Sequence, residues 1–491
     1  MSTFFFNQQT CRYTHQIQRR FLIIIGLLII AISALGGCAA VGPDYVPVKP
    51  EAPEKWSTEL KGGLIAELSE PETMAYWWRV LNDPELSSLI ERVVSGNLDL
   101  QVARTRIRVA RARRGVSRAD FFPALDGGAS ATKKRDSSGE EYELYSAGFD
   151  ASWELDIFGG IRRSVEAADA EIGFAQENLH DVLVSLLAEV ALNYVNVRTY
   201  QNGLTVVEEN LKAQQETYDL NHSRFQAGII NELAVQQSLY NLERTRSQIP
   251  IFQTRLEAAK NRLAVLLGKE PGAVHAELAT RKPIPTPPAK LVVGVPAETL
   301  RNRPDIRRAE RRVAAQTARV GVATADLYPR FVLNGSIGLE SLSSGDFLSA
   351  ASRTWGFGPA ISWKIFHGNA IRQNIEIHSA LQEQALIEYE MIVLKAQEEI
   401  ENVLVAYANE QRRYQALTAA TAAAQQADML AQDQYQVGLV DFNNVLDAQR
   451  SLLLLQDQLI LSEGSVTANL IRLYKALGGG WESLKPAKDS Y

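Results

Sequence analysis

The fold is decided by residues 161–225, which have the sequence IRRSVEAADAEIGFAQENLHDVLVSLLAEVALNYVNVRTYQNGLTVVEENLKAQQETYDLNHSRF. This stretch contains no proline and only two glycines, Gly173 and Gly203. Apolar or aromatic residues recur in it at every seventh position, and this pattern predicts one long helix with partner helices alongside it. The apolar and aromatic residues that recur at every seventh position are Leu183, Val190, Val197, Leu204, Leu211, Tyr218 and Phe225.

The length of this helix is unusual. At 1.5 Å per residue it would extend roughly 100 Å, whereas helices of globular proteins seldom exceed about 20–25 residues. Taken alone, the stretch also fits an ordinary coiled-coil rod. The segments before and after it decide whether it is such a rod or part of a larger assembly.

The N-terminus has the pattern of an export signal. Residues 12–20 include three arginines, Phe21–Ile32 is a short apolar run, and small residues lead to Leu35-Gly36-Gly37-Cys38. The apolar run is too short to favour a stable membrane span. The order resembles the signal peptide and lipobox of bacterial lipoproteins, which implies that Cys38 becomes the lipidated first residue, with N-palmitoyl and S-diacylglycerol groups. The alternative is a plain secretory signal with a chance cysteine. Ala39 follows the cysteine, which in such lipoproteins favours the outer membrane.

Composition indicates a folded protein and argues against several functions. The 491 residues are 46% hydrophobic and 22% charged, with a net charge of −6, which argues against a nucleic-acid partner. The arginine-rich helix at about 97–119 is therefore expected to be solvated or ion-paired. With two cysteines, Cys11 and Cys38, no disulfide framework is expected. No stretch after Cys38 reaches 18 apolar residues, so we expect no later transmembrane helix.

A period of two replaces the helical period after Phe122-Pro123. In Phe149–Ile157, apolar residues alternate with acidic or hydroxylated ones. Nine to eleven residues of this kind with aromatic ends are typical of a transmembrane β-strand, although an ordinary half-buried sheet has the same alternation. Leu125–Thr132 is a weaker partner strand, and the charged loop 133–143 would join the two as a hairpin. The apolar face consists of Phe149, Ala151, Trp153, Leu155 and Ile157.

The second half of the chain repeats the first. In the first half, the long helix ends before Gly228, and a helix returns over about 231–267 with a kink expected at Pro250. The second half has an arginine-rich helix at 304–327, strand alternation over 331–339 and 355–365, and a long helix from about Asn369 with its return. Three pairs of residues are each separated by 210 positions, which indicates internal duplication: Gly228 and Gly438, Trp153 and Trp363, and Gly268 and Gly478.

These elements constrain the assembly. Each half contributes two strands, and four strands cannot close a barrel, since the smallest barrels have about eight strands. An open sheet edge in lipid would leave backbone N–H and C=O groups unpaired, at a free-energy cost of several kcal/mol for each group. We therefore expect other copies of the chain to complete the barrel in a closed ring, with the long helices in the periplasm.

In combination, four groups of motifs resemble the TolC-type outer membrane efflux factors, in particular the OprM/NodT-like lipoprotein branch. The resemblance implies a homotrimer in which twelve strands form one β-barrel and the long helices form a coiled-coil α-helical barrel. It also implies a periplasmic adaptor (membrane fusion) protein and an inner-membrane transporter, of the RND type, as partners, together with outer membrane lipid. The motifs are Gly37-Cys38 with Val41–Tyr45, Asp83–Leu86 with Asn97–Leu100, Arg303–Ile306 with Ala309-Glu310, and Val445–Arg450.

The expected domain order follows from the duplication. Residues 1–37 form the signal peptide and 38–80 a lipid-anchored extended segment. Repeat 1 covers 81–280, with a β-hairpin at 123–158 and a helical tip near 228. A Pro-rich linker at 281–300 leads to repeat 2 at 301–480, with a hairpin at 329–366 and a tip near 438. Residues 481–491 form a tail.

Two groups of candidate residues follow from the resemblance. The segment Asn444–Asp447 corresponds to the periplasmic end of the tube, where acidic rings constrict similar channels. Asn444 replaces an aspartate found in some relatives, so a single ring at Asp447 is expected, with Arg450 partly compensating it. A surface ion pair is the alternative. Gly228 with Ile229 and Gly438 with Leu439 mark the hairpin tips and are candidates for docking the adaptor; simple helix-terminating glycines are the alternative.

Other classes of function are less well supported. The six histidines are scattered without metal-ligand spacing, and no phosphate loop or nucleophile motif is present, so neither an enzyme, a metal site nor a cofactor is expected. The strand pairs argue against a passive structural lipoprotein. An exit duct for drugs or metabolites is the preferred function, with the outlet of a type I protein secretion system as the alternative.

Overall fold

The computed structural model describes residues 40–48, 50, 52–67 and 71–484. Short 3₁₀ turns lie at Trp77–Leu81, Ala350–Ser352 and Trp481–Leu484. The helices are α1 (Pro71–Ala75), α2 (Pro84–Gly96), α3 (Leu98–Ala119), α4 (Gly160–Gln226), α5 (Glu232–Arg246), α6 (Ile249–Leu266), α7 (Pro296–Asn302), α8 (Pro304–Ala325), α9 (Ala370–Gln436) and α10 (Phe442–Ala476). The strands are β1 (Leu64–Ile65), β2 (Ala124–Arg135), β3 (Glu141–Leu155), β4 (Leu291–Val292), β5 (Arg330–Ser341) and β6 (Arg353–Ser362).

The two long helices are of equal length. Both α4 and α9 contain 67 residues, and α4 extends one residue beyond the predicted helix at each end. The predicted apolar seam is buried from Leu183 to Leu204, but it then shifts, because the later predicted positions are only partly covered and Phe225 is 40% exposed. A straight helix drifts by about 20° per heptad relative to a seven-residue repeat, which accounts for the shift. The buried positions beyond Leu204 are Val207, Gln214 and Asn221.

The two return helices differ. The first is divided into α5 and α6 at Ser247-Gln248, and Pro250 lies in the first turn of α6, so the proline interrupts the return helix as predicted. The second, α10, is continuous over 35 residues. Asp83 caps α2, because its Oδ1 accepts hydrogen bonds from the backbone N–H groups of Glu85 (2.9 Å) and Leu86 (3.0 Å).

The four long strands form one antiparallel sheet in the order β2-β3-β5-β6, while β1 and β4 form a small parallel pair. Directly opposite residues share a face, and one face is apolar across the four strands except near the first hairpin's loop, where Lys133 lies opposite Glu143 and Arg135 opposite Glu141. Phe149 lies opposite Ile337, which lies opposite Trp355, and Leu155 lies opposite Phe331, which lies opposite Ile361. The other face has polar and small residues, such as Asp150 opposite Ser336.

Four strand ends differ from the sequence prediction. The predicted charged loop 133–143 is reduced to residues 136–140, because β2 and β3 stay paired out to Arg135 and Glu141. The first hairpin's strand ends at Leu155 and not at Ile157. In the second hairpin, Trp363 and Ile365 lie beyond the end of β6, where β5 offers no further partner.

The segments outside the repeats also require corrections. Residues 38–80 were expected to be extended, but this region contains β1, α1 and part of the first 3₁₀ turn. The expected linker 281–300 includes β4 and the start of α7. The tail begins with the last 3₁₀ turn, in which Trp481 is buried, and its residues after Leu484 are outside the described part.

The chain divides into two compact units, each with segments from both repeats. The strand unit comprises Val109–Ile172 and Arg311–Leu386 with the described residues up to Pro47. The helical unit comprises Val48–Arg108, Gly173–Glu310 and the described residues from Ile387 onward. Among the described helices, only α4 has a window long and apolar enough for a membrane span; 67% of that window is buried in the chain, as in the core helix of a soluble protein.

Candidate functional sites

The two hairpin tips have the same backbone geometry. Gly228 has φ +73° and Gly438 has φ +79°, a left-handed conformation that favours glycine. At each tip the glycine N–H donates a hydrogen bond to the carbonyl three residues earlier, that of Phe225 or Tyr435. The N–H of the next residue donates to the carbonyl five residues earlier. These are Schellman caps, which satisfy the last carbonyls of α4 and α9 and let the chain reverse direction. A Cβ added at either glycine would meet no other atom within 4 Å, so both turns border open space.

The residues that follow these glycines are apolar and exposed. Ile229 is 70% exposed and Leu439 is 75% exposed. Val437, on the other side of Gly438, is also exposed. The surface of both tips therefore carries exposed aliphatic side chains.

A small apolar core joins the two tips beneath this surface. Residues of α5, α9 and α10 contribute to it, so the two helical hairpins contact each other at their ends. The buried members are Ala234, Tyr435, Phe442, Val445 and Leu446, with Ile230, Ala431 and Val440 packed against them.

Polar contacts link the ends of α4 and α9. The hydroxyl of buried Tyr435 donates to Oδ1 of Asn221 at 2.8 Å. Arg224 donates to the backbone carbonyl of Gln436 at 3.1 Å, and its guanidinium lies 4.9 Å from the centre of the Tyr435 ring. We call Asn221, Arg224 and Tyr435 the tip tether. Sequence reasoning did not identify it, although buried Asn221 follows Gln214 by one heptad and that spacing was available as a signal.

The candidate gate residues lie on one exposed face of α10. Asn444 and Asp447 are exposed, whereas Val445 and Leu446 point into the tip core. Arg450 Nη1 is 3.9 Å from Asp447 Oδ1, and the Asp447 side chain is 80% exposed. The arrangement leaves a solvated carboxylate that a neighbouring cation only partly offsets.

Two further polar residues lie one heptad before members of the tip tether. Asp428 on α9 is seven residues before Tyr435, and Gln214 on α4 is seven residues before Asn221. Both are buried. Burial raises the pKa of the Asp428 carboxyl, and a 2.8 Å hydrogen bond from Gln432 only partly opposes this. Asp428 Oδ1 has no hydrogen-bond partner among the described residues, so the ionised form is poorly supported.

Cys38 lies outside the described residues, but the segment that follows it is held in the strand unit. The Arg163 side chain is 4% exposed and contacts Asp44 Oδ1 at 2.6 Å. It also donates to the carbonyls of Ala40, Val41 and Gly42, the Val41 bond being 3.1 Å. The Val41 N–H bonds to the Phe158 carbonyl at 3.0 Å. The chain is thus fixed from two residues after the candidate lipidation site.

Both halves of the chain match one known protein family. The Outer membrane efflux protein family matches residues 89–269 and again 295–479, in agreement with the duplication. Nodulation protein T of Rhizobium leguminosarum bv. trifolii is 32% identical over 458 residues, covering 92% of this chain and 97% of the relative. Cation efflux system protein CusC of Escherichia coli O6:H1 is 30% identical over 451 residues, covering 91% and 97%.

Solved structures have the same fold. The outer-membrane channel OprN superposes with a TM-score of 0.84 and 36% sequence identity, covering 90% of this chain and all (100%) of that channel. The architecture is therefore that of TolC-type channels, as the sequence motifs predicted. This is a family of channels and not of enzymes. The chain belongs to the outer membrane efflux protein family and is an outer membrane efflux channel of the TolC type.

Proposed function

We propose that three copies of this chain form the exit duct of a tripartite efflux pump, with twelve strands closing one β-barrel. The observation that carries this proposal is the open four-stranded sheet, in which one face is apolar and exposed. On that face Trp355 is 81% exposed and Phe357 is 75% exposed. Lipid would cover this face, and neighbouring copies would satisfy the edges of β2 and β6.

The long helices support the same assembly. In the single chain α9 exposes a series of large apolar side chains, and a soluble helix rarely leaves so many uncovered. Adjacent copies would cover them in a closed α-helical tube in the periplasm. The side chains are Ile377, Leu381, Leu386, Ile387, Met391, Leu394 and Val405.

The ends of the tube have separate roles in this proposal. Cys38 carries acyl chains in the outer membrane, and Arg163 holds the chain that follows it. Gly228, Ile229, Gly438 and Leu439 dock a periplasmic adaptor protein, which joins the duct to an inner-membrane transporter of the RND type. Three copies of Asp447 form the periplasmic gate, with Arg450 and Asn444 beside them.

The cargo is a small molecule or ion. The names of the relatives support efflux but specify different cargoes: one is a cation efflux protein and another, SrpC of Pseudomonas putida, belongs to a solvent efflux pump. The duct itself therefore need not select its cargo, and we assign selection to the inner-membrane transporter. Efflux is favoured over the type I secretion alternative by these relatives.

Three measurements test the proposal. Native mass spectrometry of the purified protein in detergent should give a trimer, and the protein should form conducting pores in planar bilayers. Deletion of the gene should increase susceptibility to small toxic compounds without loss of a secreted protein. A monomer that forms no pore would refute the duct, and loss of a secreted protein alone would favour the secretion outlet.

A further inference from the structure

The two β-hairpins obey one residue-by-residue rule. Moving each β2 residue forward by 206 positions and each β3 residue by 210 converts the first hairpin into the second. Ala131 opposite Tyr145 becomes Ile337 opposite Trp355, and both pairs are observed. Leu125 opposite Ala151 likewise becomes Phe331 opposite Ile361, and both pairs are again observed. The duplication therefore preserves strand register without slippage.

A second pair of contacts gives the same two offsets. The indole N–H of Trp153 donates to the Phe121 carbonyl at 2.9 Å, and that of Trp363 donates to the Leu327 carbonyl at 3.0 Å. The tryptophans differ by 210 positions and the acceptors by 206. Each hairpin is thus attached in the same way to the end of the arginine-rich helix that precedes it.

Since the rule reproduces the pairing within each hairpin, it can be applied to the pairing between hairpins. We infer that β6 of one copy pairs with β2 of the next copy in the register of β3 with β5. This deepens the trimer proposed above and rests on it. Ala151 opposite Gly335 becomes Ile361 opposite Ala129 of the neighbouring copy, and Phe149 opposite Ile337 becomes Pro359 opposite its Ala131.

The derived register matches the faces of the two strands. In the derived register Pro359, Ile361 and Ile365 of β6 lie opposite Ala131, Ala129 and Leu125 of the neighbouring copy, whereas Trp355 and Phe357 lie opposite Arg135 and Lys133 near the hairpin loop. A register shifted by one residue would turn one strand's apolar side chains into the lumen. The face pattern thus excludes registers shifted by an odd number of residues, whereas registers shifted by two or four residues keep the same faces and are distinguished by crosslinking.

The register also pairs charges that have no ion-pair partner among the described residues of one chain. Asp126 lies directly opposite Asp150 on the polar face of the sheet, and like charges in such a position are destabilising. In the described part of the chain, neither carboxylate has an ion-pair partner, and neither does exposed Lys364. Glu154 opposite Val332 becomes Lys364 opposite Asp126 of the neighbouring copy. One lysine per interface then offsets the repulsion between two aspartates.

This pairing accounts for the early end of β6. Its equivalent, β3, continues to Leu155 because β5 pairs with it as far as Phe331. Beyond Ser362 the in-chain partner would be Pro329, which has no N–H to donate. No described strand of the same chain lies opposite residues 363–365, so β2 of a neighbouring copy pairs with them and β6 extends to Ile365 on assembly.

Engineered disulfides test the register. Within one chain, β2 and β6 are three strand spacings apart, about 14 Å, which no disulfide can bridge. Ala129→Cys with Ile361→Cys should therefore link different copies on mild oxidation, giving a ladder up to trimers on a non-reducing gel. The matched control, Leu125→Cys with Ile361→Cys, is displaced by four residues and should link at least tenfold more slowly.

Shifted pairs distinguish failure of the register from failure of the trimer. A trimer in which Ile361→Cys links faster to Leu125→Cys, Gly127→Cys or Ala131→Cys would overturn the register and leave the duct intact. A protein that stays monomeric would overturn both.

Charge exchange provides a second test. Lys364→Asp and Asp126→Lys should each lower the temperature at which the trimer dissociates in detergent, and the double exchange should recover most of the loss. Effects that merely add in the double variant would overturn the Lys364–Asp126 contact. The comparison remains interpretable if one single variant assembles poorly, because rescue is measured in the double variant.

Discussion

The phenol of Tyr435 and the amide of Asn221 join the last turns of the two long helices, at an O···O distance of 2.8 Å with both side chains buried. Tyr435→Phe keeps the ring in the tip core but removes the donor. Asn221 Nδ2 already has no partner in the described structure, so the variant leaves this amide wholly unsatisfied. Such a loss costs about 1–3 kcal/mol. We expect the two hairpins to separate more easily and the single-channel conductance in planar bilayers to increase.

Tyr240→Phe is the matched control for this variant. The Tyr240 ring lies under Arg450, 5.5 Å from its guanidinium carbon, and the residue is 55% exposed. Removal of its hydroxyl should leave conductance unchanged. Equal conductance of Tyr435→Phe and the unmodified channel would mean that the tip tether does not restrain the pore.

The proposed gate predicts a change in ion selectivity. Asp447→Ala removes three carboxylates from the periplasmic end of the trimer, so cation preference should fall and conductance should rise. Stability should hardly change, because an exposed pair with Arg450 contributes about 0.2–0.5 kcal/mol. Reversal potentials in a KCl gradient measure the selectivity. Asp433→Ala, at an exposed position on α9, is the control, and an equal effect of both variants would count against a specific gate at Asp447.

Adaptor docking at the tips predicts a loss of affinity without a loss of fold. Ile229→Asp and Leu439→Asp alter exposed side chains, so the free energy of unfolding should change by no more than about 0.5 kcal/mol. Placing a charge in an apolar contact should weaken adaptor binding by about tenfold or more. Pull-down of the co-expressed adaptor and crosslinking from Ile229→Cys and Leu439→Cys measure this. Val265→Asp, exposed on α6, should bind normally; retained binding by both tip variants in a working pump would exclude this docking surface.

The sequence allowed the helices to be predicted more accurately than the strand ends. The α4 boundaries came within one residue because the heptads and the terminating Gly228 are local signals. The ends of β2 and β6 depend on which strand lies opposite, and among the described residues no strand lies opposite Trp363 and Ile365. The tip tether was missed because Asn221 is polar at a buried position; its spacing from Gln214 indicated burial, but its hydrogen bond to Tyr435 depends on how α9 packs against α4.

The N-terminal attachment predicts local and not global loosening. Arg163→Ala removes the donor to the carbonyls of Ala40, Val41 and Gly42 and the partner of Asp44. Hydrogen exchange in residues 40–47 should accelerate at least tenfold while exchange in α9 stays unchanged. Arg118→Ala, an exposed arginine of the same unit, is the control. Unchanged exchange in residues 40–47 would show that other contacts hold this segment.

Buried Asp428 predicts a stability difference that depends on pH. Burial raises the pKa of its carboxyl in the folded protein above the ordinary value of 3.8, so the folded state binds the proton more tightly than the unfolded state does. The contribution of this group to stability is therefore fully present below pH 3.8 and is lost as pH rises through the folded pKa. Asp428→Asn cannot ionise and should be more stable than the unmodified protein at pH 7.5, with the difference shrinking toward pH 4. Melting followed by circular dichroism at both pH values measures this difference, with Asp433→Asn as the exposed control. If Asp428→Asn instead loses stability relative to the unmodified protein as the pH rises from 4 to 7.5, the ionised carboxylate of Asp428 has a stabilising partner in the assembled tube.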